Sequence, residues 1–439
     1  MKKKYRIILY TSIFLLCVVA SIILVVKKSN SVYEEESKPK VVKHKSMLSM
    51  NLEQTAGSGD YKTVTQSSWP TEGYKFNAEL SKCENGSTLS WDDTKKAVIM
   101  QGNVSDKCYV YFDIWIPSIA DYCTSGTDLA TCVKNFGDQG PSVSNIYYHD
   151  SSLANGAGDN SYRYAGANPN NFVCFGTTES PCPIDNLYRI IGVFGENYHG
   201  ANGKQLVKLI KYDYMTTDEL GTDGDYSQTY KEWGMDSTYK GTYGDGERIG
   251  VYYWNYKATG SATNTWSTSL LNKTNLNTNF INYLGTTWAN KIATVTWKVG
   301  GNTYANISDA VPSVAYTNEI TNPVTTNTTD NATTYSAKIG LMYVSDYGFA
   351  ASPDAWTLTM RSYNNTTATN NNWMYMGLYE WVISRHADYS YRAFCVYHDG
   401  YVYFYNVRSY IGVRASFNLE SSVSYVSGSG SMSDPIVIN

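Results

Sequence analysis

The chain has 439 residues, 17% of them charged, and its formal net charge is −4 at pH 7. Nothing in this near balance argues for nucleic acid, so no nucleic-acid partner is predicted. The length predicts two or three folded units. Tyrosine is unusually common, with 40 residues against 12 phenylalanines, and this composition is typical of secreted β-rich proteins.

The first 28 residues (1–28) are predicted to form a transmembrane anchor. Three lysines and an arginine precede an uncharged apolar run at 7–26, which is long enough to cross a bilayer as a helix. The positive start favours a cytoplasmic N-terminus. The predicted location is therefore the cell membrane, single-pass, with the bulk of the chain extracellular. A cleaved signal peptide is the alternative, although no small-x-small cleavage site follows the run.

Two predicted segments follow the anchor. Residues 29–63 are polar, mixed in charge and without hydrophobic periodicity, which predicts a flexible stalk. Residues 64–115 alternate in short runs, which predicts a small all-β module that needs a cross-link or a neighbour for stability. Three segments resemble spacer modules in surface proteins of Gram-positive-type bacteria and their phages: Trp69-Pro-Thr, Cys83-Glu-Asn-Gly and Asp106-Lys-Cys-Tyr-Val-Tyr-Phe.

Six of the cysteines outside the predicted anchor fall into neighbouring pairs, and Cys395 stands alone. In an oxidising compartment such pairs are disulfide candidates, although spacing leaves the connectivity open. No Cys-x-x-Cys or Cys/His cluster predicts a metal site. Residues 116–160 are predicted to be a linker with one disulfide loop. The candidates are Cys83 with Cys108, Cys123 with Cys132, and Cys174 with Cys182.

Residues 161–439 are predicted to form one large domain. Residues 187–194 and 205–210 predict adjacent strands of a hairpin. Residues 266–284 carry apolar side chains at helical spacing, and Gly285 is the predicted end of that helix. The mixture of helices and strands predicts an α+β fold class. Further strands are predicted at 338–344, 373–378, 381–384 and 413–419.

The segment 380–419 contains the strongest hairpin signal. Asp399-Gly400 predicts a tight turn, because glycine accepts a positive φ. The residues on both sides alternate, and successive strand side chains point to opposite faces. One face is predicted to join the core and carries Phe394, Val396, Val402 and Phe404. The other is predicted to be exposed and carries Cys395, Tyr397, Tyr401, Tyr403 and Tyr405.

The exposed face is predicted to bind a ligand, because tyrosine offers a large contact area with few rotamers to freeze. The alternative is an aromatic ladder that stabilises the sheet. Changing Tyr401, Tyr403 and Tyr405 together to serine is expected to abolish binding and leave thermal stability nearly unchanged. The predicted ligand-binding residues are His386, Asp388, Tyr389, Tyr391, Arg392, Cys395, Tyr397, His398, Tyr401, Tyr403, Tyr405, Arg408 and Tyr410.

No motif predicts catalysis. The chain has no Gly-rich phosphate loop, no HExxH and no GxSxG sequence, so it is predicted not to be an enzyme and to need no cofactor. The acidic turns Asp223-Gly-Asp225 and Asp245-Gly-Glu247 are candidates for calcium ligands. Calcium needs six or more converging oxygens, and solvated turns are the favoured interpretation.

Five segments carry a family resemblance. They resemble a bacterial surface protein family whose large domain ends in a Gly-Val-Arg-Pro motif and an apolar strand, and Ala415 stands here where proline is expected. The resemblance covers 161–439 and implies the C-type-lectin-like fold of formylglycine-generating enzymes and of diversity-generating-retroelement variable proteins. The segments are Tyr188-Arg-Ile-Ile-Gly-Val, Trp266-Ser-Thr-Ser-Leu-Leu-Asn, Lys338-Ile-Gly-Leu-Met-Tyr, Glu380-Trp-Val-Ile-Ser-Arg and Gly412-Val-Arg-Ala-Ser-Phe-Asn-Leu.

The retroelement branch implies a diversified site. Such retroelements mutate adenines, and randomised Asn codons can yield Tyr, His, Asp, Ser, Arg, Cys, Phe, Ile or Gly but never Lys, Glu, Gln, Met or Trp. None of the latter five occurs at 384–419, and Cys395 is then one outcome of an Asn codon. The alternative is a Tyr-rich strand of a non-diversifying relative.

The predicted function is that of a membrane-anchored bacterial surface protein whose Tyr-rich face recognises or adheres to an extracellular protein or glycan. One alternative is a structural envelope subunit. Another is an oxidase like the formylglycine-generating enzymes, which would need a redox-active cysteine pair. Only Cys395 lies near the predicted site, beside His398, and nothing in the sequence indicates a reactive thiolate there.

Overall fold

The computed structural model of the protein describes residues 48–65, 68–70, 72–103, 105–195, 199–256, 262–323, 332–364 and 366–439. The chain divides into two compact units, of which the first ends at Ile116 and the second spans Pro117–Asn439.

The structure corrects the predicted membrane anchor. None of the helices in the described ranges is long and apolar enough to cross a bilayer. The transmembrane helix in the predicted fold class and the predicted single-pass location in the cell membrane are therefore not supported. The apolar run at 7–26, on which both were based, lies outside the described residues.

The first unit is a small β structure. Its strands are β1 (Leu48–Glu53), β2 (Tyr61–Val64), β3 (Tyr74–Cys83), β4 (Thr88–Asp92), β5 (Ala97–Gln101) and β6 (Cys108–Ile114). One sheet has the order β2-β1-β6-β3, and β4 pairs with β5. Along β6, Val110 and Phe112 are buried. The rings of Trp69, Phe76 and Trp91 lie 5.7–5.9 Å from that of Phe112.

Strands β1 and most of β2 lie in the stretch that was predicted to be a stalk. β1 pairs in parallel with β6, so that Met50 faces Val110 across the ladder. The carboxylate of Glu53 is buried and accepts hydrogen bonds from the backbone N–H groups of Gly59 and Ile114. The partner strand is remote in sequence, so the polar composition of 29–63 did not reveal the pairing.

All three predicted disulfides are present, as Cys83–Cys108, Cys123–Cys132 and Cys174–Cys182. The first joins β3 to β6 at residues that lie opposite each other in the ladder.

The second unit combines helices with mostly antiparallel sheets. Strands β7 to β24 span, in order, Ile146–Tyr148, Tyr162–Tyr164, Phe172–Cys174, Leu187–Phe194, Leu206–Lys211, Tyr226–Thr229, Gly250–Tyr253, Val295–Lys298, Gly301–Asn302, Thr334–Ala337, Ile339–Gly340, Glu380–His386, Arg392–Val396, Val402–Asn406, Tyr410–Gly412, Ser416–Asn418, Tyr425–Ser427 and Ile436–Ile438. Its helices span Leu129–Gly137, Pro141–Ser144, Thr217–Leu220, Tyr230–Trp233, Leu271–Phe280, Ile281–Ala289, Tyr304–Ile307, Pro312–Tyr316, Thr317–Thr321, Val344–Ala350 and Thr366–Asn370, with single short turns at Ile119–Asp121, Ile184–Asn186, Trp266–Thr268, Pro353–Thr357 and Met360–Ser362.

Two large sheets organise this unit. The first, with nine strands, has the order β17-β22-β11-β10-β9-β24-β23, with β7 and β8 attached beside β10. The second has seven strands in the order β12-β13-β21-β18-β19-β20, with β15 beside β18. The predicted hairpin of β10 and β11 is confirmed, with Tyr188 opposite Lys211. β10 is buried along its whole length, so both faces of this strand are covered.

Three local predictions differ from the structure. The predicted linker at 116–160 belongs to this unit from Pro117 onward, and its helix Leu129–Gly137, capped by the carboxylate of Asp128, buries an apolar face in the main core. The predicted helix at 266–284 forms mainly from Leu271 onward, and the chain kinks at Gly285, where φ is 70°. Residues 373–378 form no strand, and the carbonyls of Trp373 and Met374 accept hydrogen bonds from the side chains of Arg189 and Arg414 instead.

Candidate functional site

The predicted tyrosine hairpin is formed by β19 and β20, which pair antiparallel with Cys395 opposite Tyr403. The N–H of Tyr397 donates to the carbonyl of Tyr401 over 2.9 Å and closes the turn. Gly400 has a φ of 102°, and a Cβ there would lie 2.6 Å from Cγ2 of Thr369. The turn therefore requires glycine. β20 is the last strand of its sheet, so the hairpin forms a sheet edge.

Four half-buried phenol rings on one face of this hairpin, here called the tyrosine row, contact one another. The ring of Tyr397 lies 4.3 Å from that of Tyr401 and is stacked 5.1 Å from that of Tyr405. Tyr403 follows at 6.2 Å from Tyr401. The row is the part of the predicted ligand-binding set that the fold brings together most closely.

Residues from remote segments extend the row at both ends. At one end the ring of Tyr379 lies 4.9 Å from that of Tyr397, and the ring of Trp233 lies 5.5 Å from that of Tyr379. At the other end Tyr304 meets Tyr403 at 5.2 Å. Sequence reasoning missed these three residues.

One sequence signal could have pointed to Trp233. The side chains of Thr229 and Glu232 form a capping box for the short helix Tyr230–Trp233, and the Thr-x-x-Glu pattern is visible in the sequence. Tyr304 and Tyr379 carried no comparable signal.

A cavity of about 540 Å³ opens beside the outer end of the row. It is lined by Tyr304, Arg361, Asn364, Tyr401 and Tyr403. This combination offers ring faces for stacking together with amide and guanidinium donors for a polar ligand.

Two tyrosines of the row, Tyr397 and Tyr401, have a raised pKa. Burial and the nearby carboxylate of Asp399 raise the pKa of Tyr401 to about 12. Burial and a hydrogen bond with Tyr405 raise the pKa of Tyr397 well above its ordinary value. The hydroxyls of Tyr397 and Tyr401 are therefore neutral donors and acceptors at physiological pH. At the turn, Nδ1 of His398 lies 2.8 Å from Oδ2 of Asp236.

The other predicted residues form two separate groups. On the opposite face, Tyr389 and Tyr391 are each 41% exposed. The guanidinium of Arg392 lies 4.4 Å from the ring of Tyr389, within reach for a cation–π contact. Asp388 is exposed beside them. In the second group, the ring of Tyr410 lies 5.6 Å from that of Trp233, and the guanidinium of Arg408 lies 5.7 Å from the ring of Tyr256.

Two predicted contact residues are not at the surface. Cys395 is 0% exposed and His386 is 1% exposed. β19 is an inner strand, so Cys395 lies between Trp381 of β18 and Tyr403 of β20. Burial raises the pKa of the Cys395 thiol, and the other cysteines of the described residues are in disulfides. The redox pair that the oxidase alternative needs is therefore not found among these residues.

His386 makes a testable contribution to stability. Its ring is stacked on Phe394 at 5.4 Å and meets Phe404 at 4.8 Å. Burial lowers the pKa of His386 to about 4, so the unfolded chain takes up the proton first as the pH falls. The stability present above about pH 6.5 is then lost toward pH 4, by at most about 3 kcal/mol.

The variant His386→Phe tests this contribution. It keeps an aromatic ring and removes the titration, so its unfolding free energy should fall less between about pH 7 and pH 4 than that of the wild type. Chemical denaturation at several pH values measures the difference. Identical pH dependence in both proteins would contradict it.

The acidic turns do not converge on one site. The carboxylate of Asp225 accepts hydrogen bonds from the N–H groups of Leu270 and Leu271, both over 2.9 Å. Glu247 and Asp245 lie near Lys231. Across the described ranges, the one acidic or cysteine cluster with metal-binding spacing contains Cys83 and Cys108, which form a disulfide.

Comparison with known proteins gives no relative: no protein-family model, no curated protein and no solved structure matches this chain. The C-type-lectin-like fold and the retroelement family therefore stay predictions. Two of the five segments that carry the family resemblance are in contact in the structure. Arg414 of one segment and Glu380 of another form a buried ion pair, with 2.8 Å between Nε and Oε1.

Proposed function

We propose that the second unit is a recognition module that binds a protein or glycan ligand through the tyrosine row. The observation that carries this proposal is a continuous set of half-buried phenol rings on a hairpin at a sheet edge, beside an open cavity. Such rings give large contact area, low entropy cost and neutral hydrogen-bonding hydroxyls. Retroelement diversification of 384–419 and a role in adhesion are part of this proposal.

The alternative is that the tyrosines only stabilise the sheet, and core packing supports it for two of the four rings. Tyr397 and Tyr405 pack against the main core of the unit, whereas Tyr401 and Tyr403 are not among the residues packed on the described core cluster. The variant with Tyr401, Tyr403 and Tyr405 all changed to serine is therefore now expected to lose stability, because it lacks the ring of Tyr405. Removing the ring of Tyr405 should cost roughly 2 kcal/mol through lost packing.

The double variant Tyr401→Ser/Tyr403→Ser tests the proposal. It should lose binding at least about tenfold, because contact aromatics are often hot spots, while its melting temperature stays close to that of the wild type. Glycan arrays and a displayed peptide library provide the ligands. Tyr405→Ser is the matched control, which should lower the melting temperature.

Unchanged binding by the double variant would overturn the proposal. Assembly of the purified protein into regular arrays, without ligand binding, would favour the envelope subunit instead.

Diversification has its own test, which is deep sequencing of the codons for 380–419 in a natural population. Substitutions confined to adenine positions, with Phe394, Val396, Gly400 and Val402 unchanged, would support it. An invariant segment would contradict it and indicate one dedicated ligand.

A further inference from the structure

A second cavity, of about 600 Å³, lies in the large unit apart from the tyrosine row. Its volume is within the usual range for small-molecule sites. Among its lining residues are the rings of Tyr212 and Tyr375 and the polar side chains of Asn170, Asn370 and Ser433. No Asp or Glu lines it, and two cations, Arg189 and Lys240, do.

Arg189 is a buried cation at this cavity. Its side chain is 4% exposed, and its guanidinium lies 4.4 Å from the ring of Phe172 and 4.6 Å from the ring of Trp373. Its hydrogen bonds go to neutral acceptors, with Nε donating to Asn171 over 2.6 Å and Nη2 to the carbonyl of Pro169 over 2.8 Å. In the described part of the chain it forms no ion pair. Buried charges are usually paired, and the neutral neighbours of Arg189 leave its charge without an anionic partner among the described residues.

Lys240 adds a second positive charge to the same cavity. Its Nζ lies 4.4 Å from the ring of Tyr375 and donates to the carbonyl of Thr369 over 3.3 Å. Neither cation has a carboxylate within salt-bridge distance among the residues described. Both cations therefore line one cavity without a carboxylate partner in the described ranges.

We propose that this cavity binds an acidic sugar. The carboxylate is held by Arg189 and Lys240, and the hydroxyls hydrogen-bond to the side chains of Asn170, Asn370 and Ser433. The rings of Tyr212 and Tyr375 provide apolar surface for the sugar ring. The cavity is larger than a simple inorganic anion requires, and its amides and hydroxyls match the donors and acceptors of a sugar. The proposal rests on this cavity and not on the tyrosine row.

The experiment titrates the full chain with sodium glucuronate by calorimetry, with glucose as the neutral analogue and sulfate as the simple anion. Glucuronate should bind at least about tenfold more tightly than either, which corresponds to about 1.4 kcal/mol. The exposed Lys240 allows a variant that leaves the core intact. Lys240→Gln should weaken glucuronate binding about fivefold to tenfold and leave the melting temperature unchanged.

Lys231→Gln is the matched control, because Lys231 is exposed in the same segment and pairs with Glu247. It should bind glucuronate like the wild type. The proposal is overturned if glucuronate, galacturonate and N-acetylneuraminate all fail to bind at about 10 mM. Equal binding of glucose or of sulfate, or an unchanged affinity in Lys240→Gln, would overturn it as well. Retained binding in Tyr401→Ser/Tyr403→Ser would separate this site from the tyrosine row.

Discussion

Replacing Arg414 by methionine is expected to destabilise the large unit by about 3–5 kcal/mol, because the change leaves the carboxylate of Glu380 buried without its partner. The two side chains are 1% and 2% exposed. Nη2 of Arg414 also donates to the carbonyl of Met374 over 2.6 Å, so that a backbone acceptor loses its donor too. Chemical denaturation measures the loss.

Arg248→Met is the matched control. Arg248 pairs with Asp185 over 2.7 Å, but it is 46% exposed, so its removal should cost less than about 1 kcal/mol. Adding Glu380→Gln to Arg414→Met should restore part of the stability, because no buried charge then remains unpaired. Equal losses in Arg414→Met and Arg248→Met would show that burial does not set the strength of this pair.

Replacing Cys83 and Cys108 together by alanine is expected to lower the unfolding free energy of the small unit by about 3 kcal/mol. The disulfide closes a loop with a sequence separation of 25, and the core of this unit is small. Hydrogen exchange along β6 reports the loss, because its amides should lose protection first.

The double variant Cys174→Ala/Cys182→Ala is the control for this experiment. That disulfide lies in the second unit, so β6 should keep its protection. Full protection of β6 without Cys83–Cys108 would mean that the apolar contacts around Phe112 are sufficient by themselves.

Within a short stretch of chain, the sequence alone predicted the structure well. Asp399-Gly400 and the alternating residues around it predicted the tyrosine hairpin, and the strands at 187–194 and 205–210 were also found in place. The three disulfides join cysteines separated by 25 residues or fewer. In each case the interacting residues are close in sequence, so turn chemistry and side-chain period carry the information.

Contacts between remote segments were decided by the tertiary structure. Alternation placed Cys395 on the face of the tyrosine row, but only the position of β19 between β18 and β20 shows that it is buried there. Trp233 contacts Tyr379 at the end of the tyrosine row, although it lies more than a hundred residues away from the row in sequence. Arg189 could not be singled out from the sequence, because only the structure shows that its hydrogen-bond acceptors are neutral. Periodicity determines which side of a strand a residue faces, whereas burial depends on what covers that side, and the covering residues come from elsewhere in the chain.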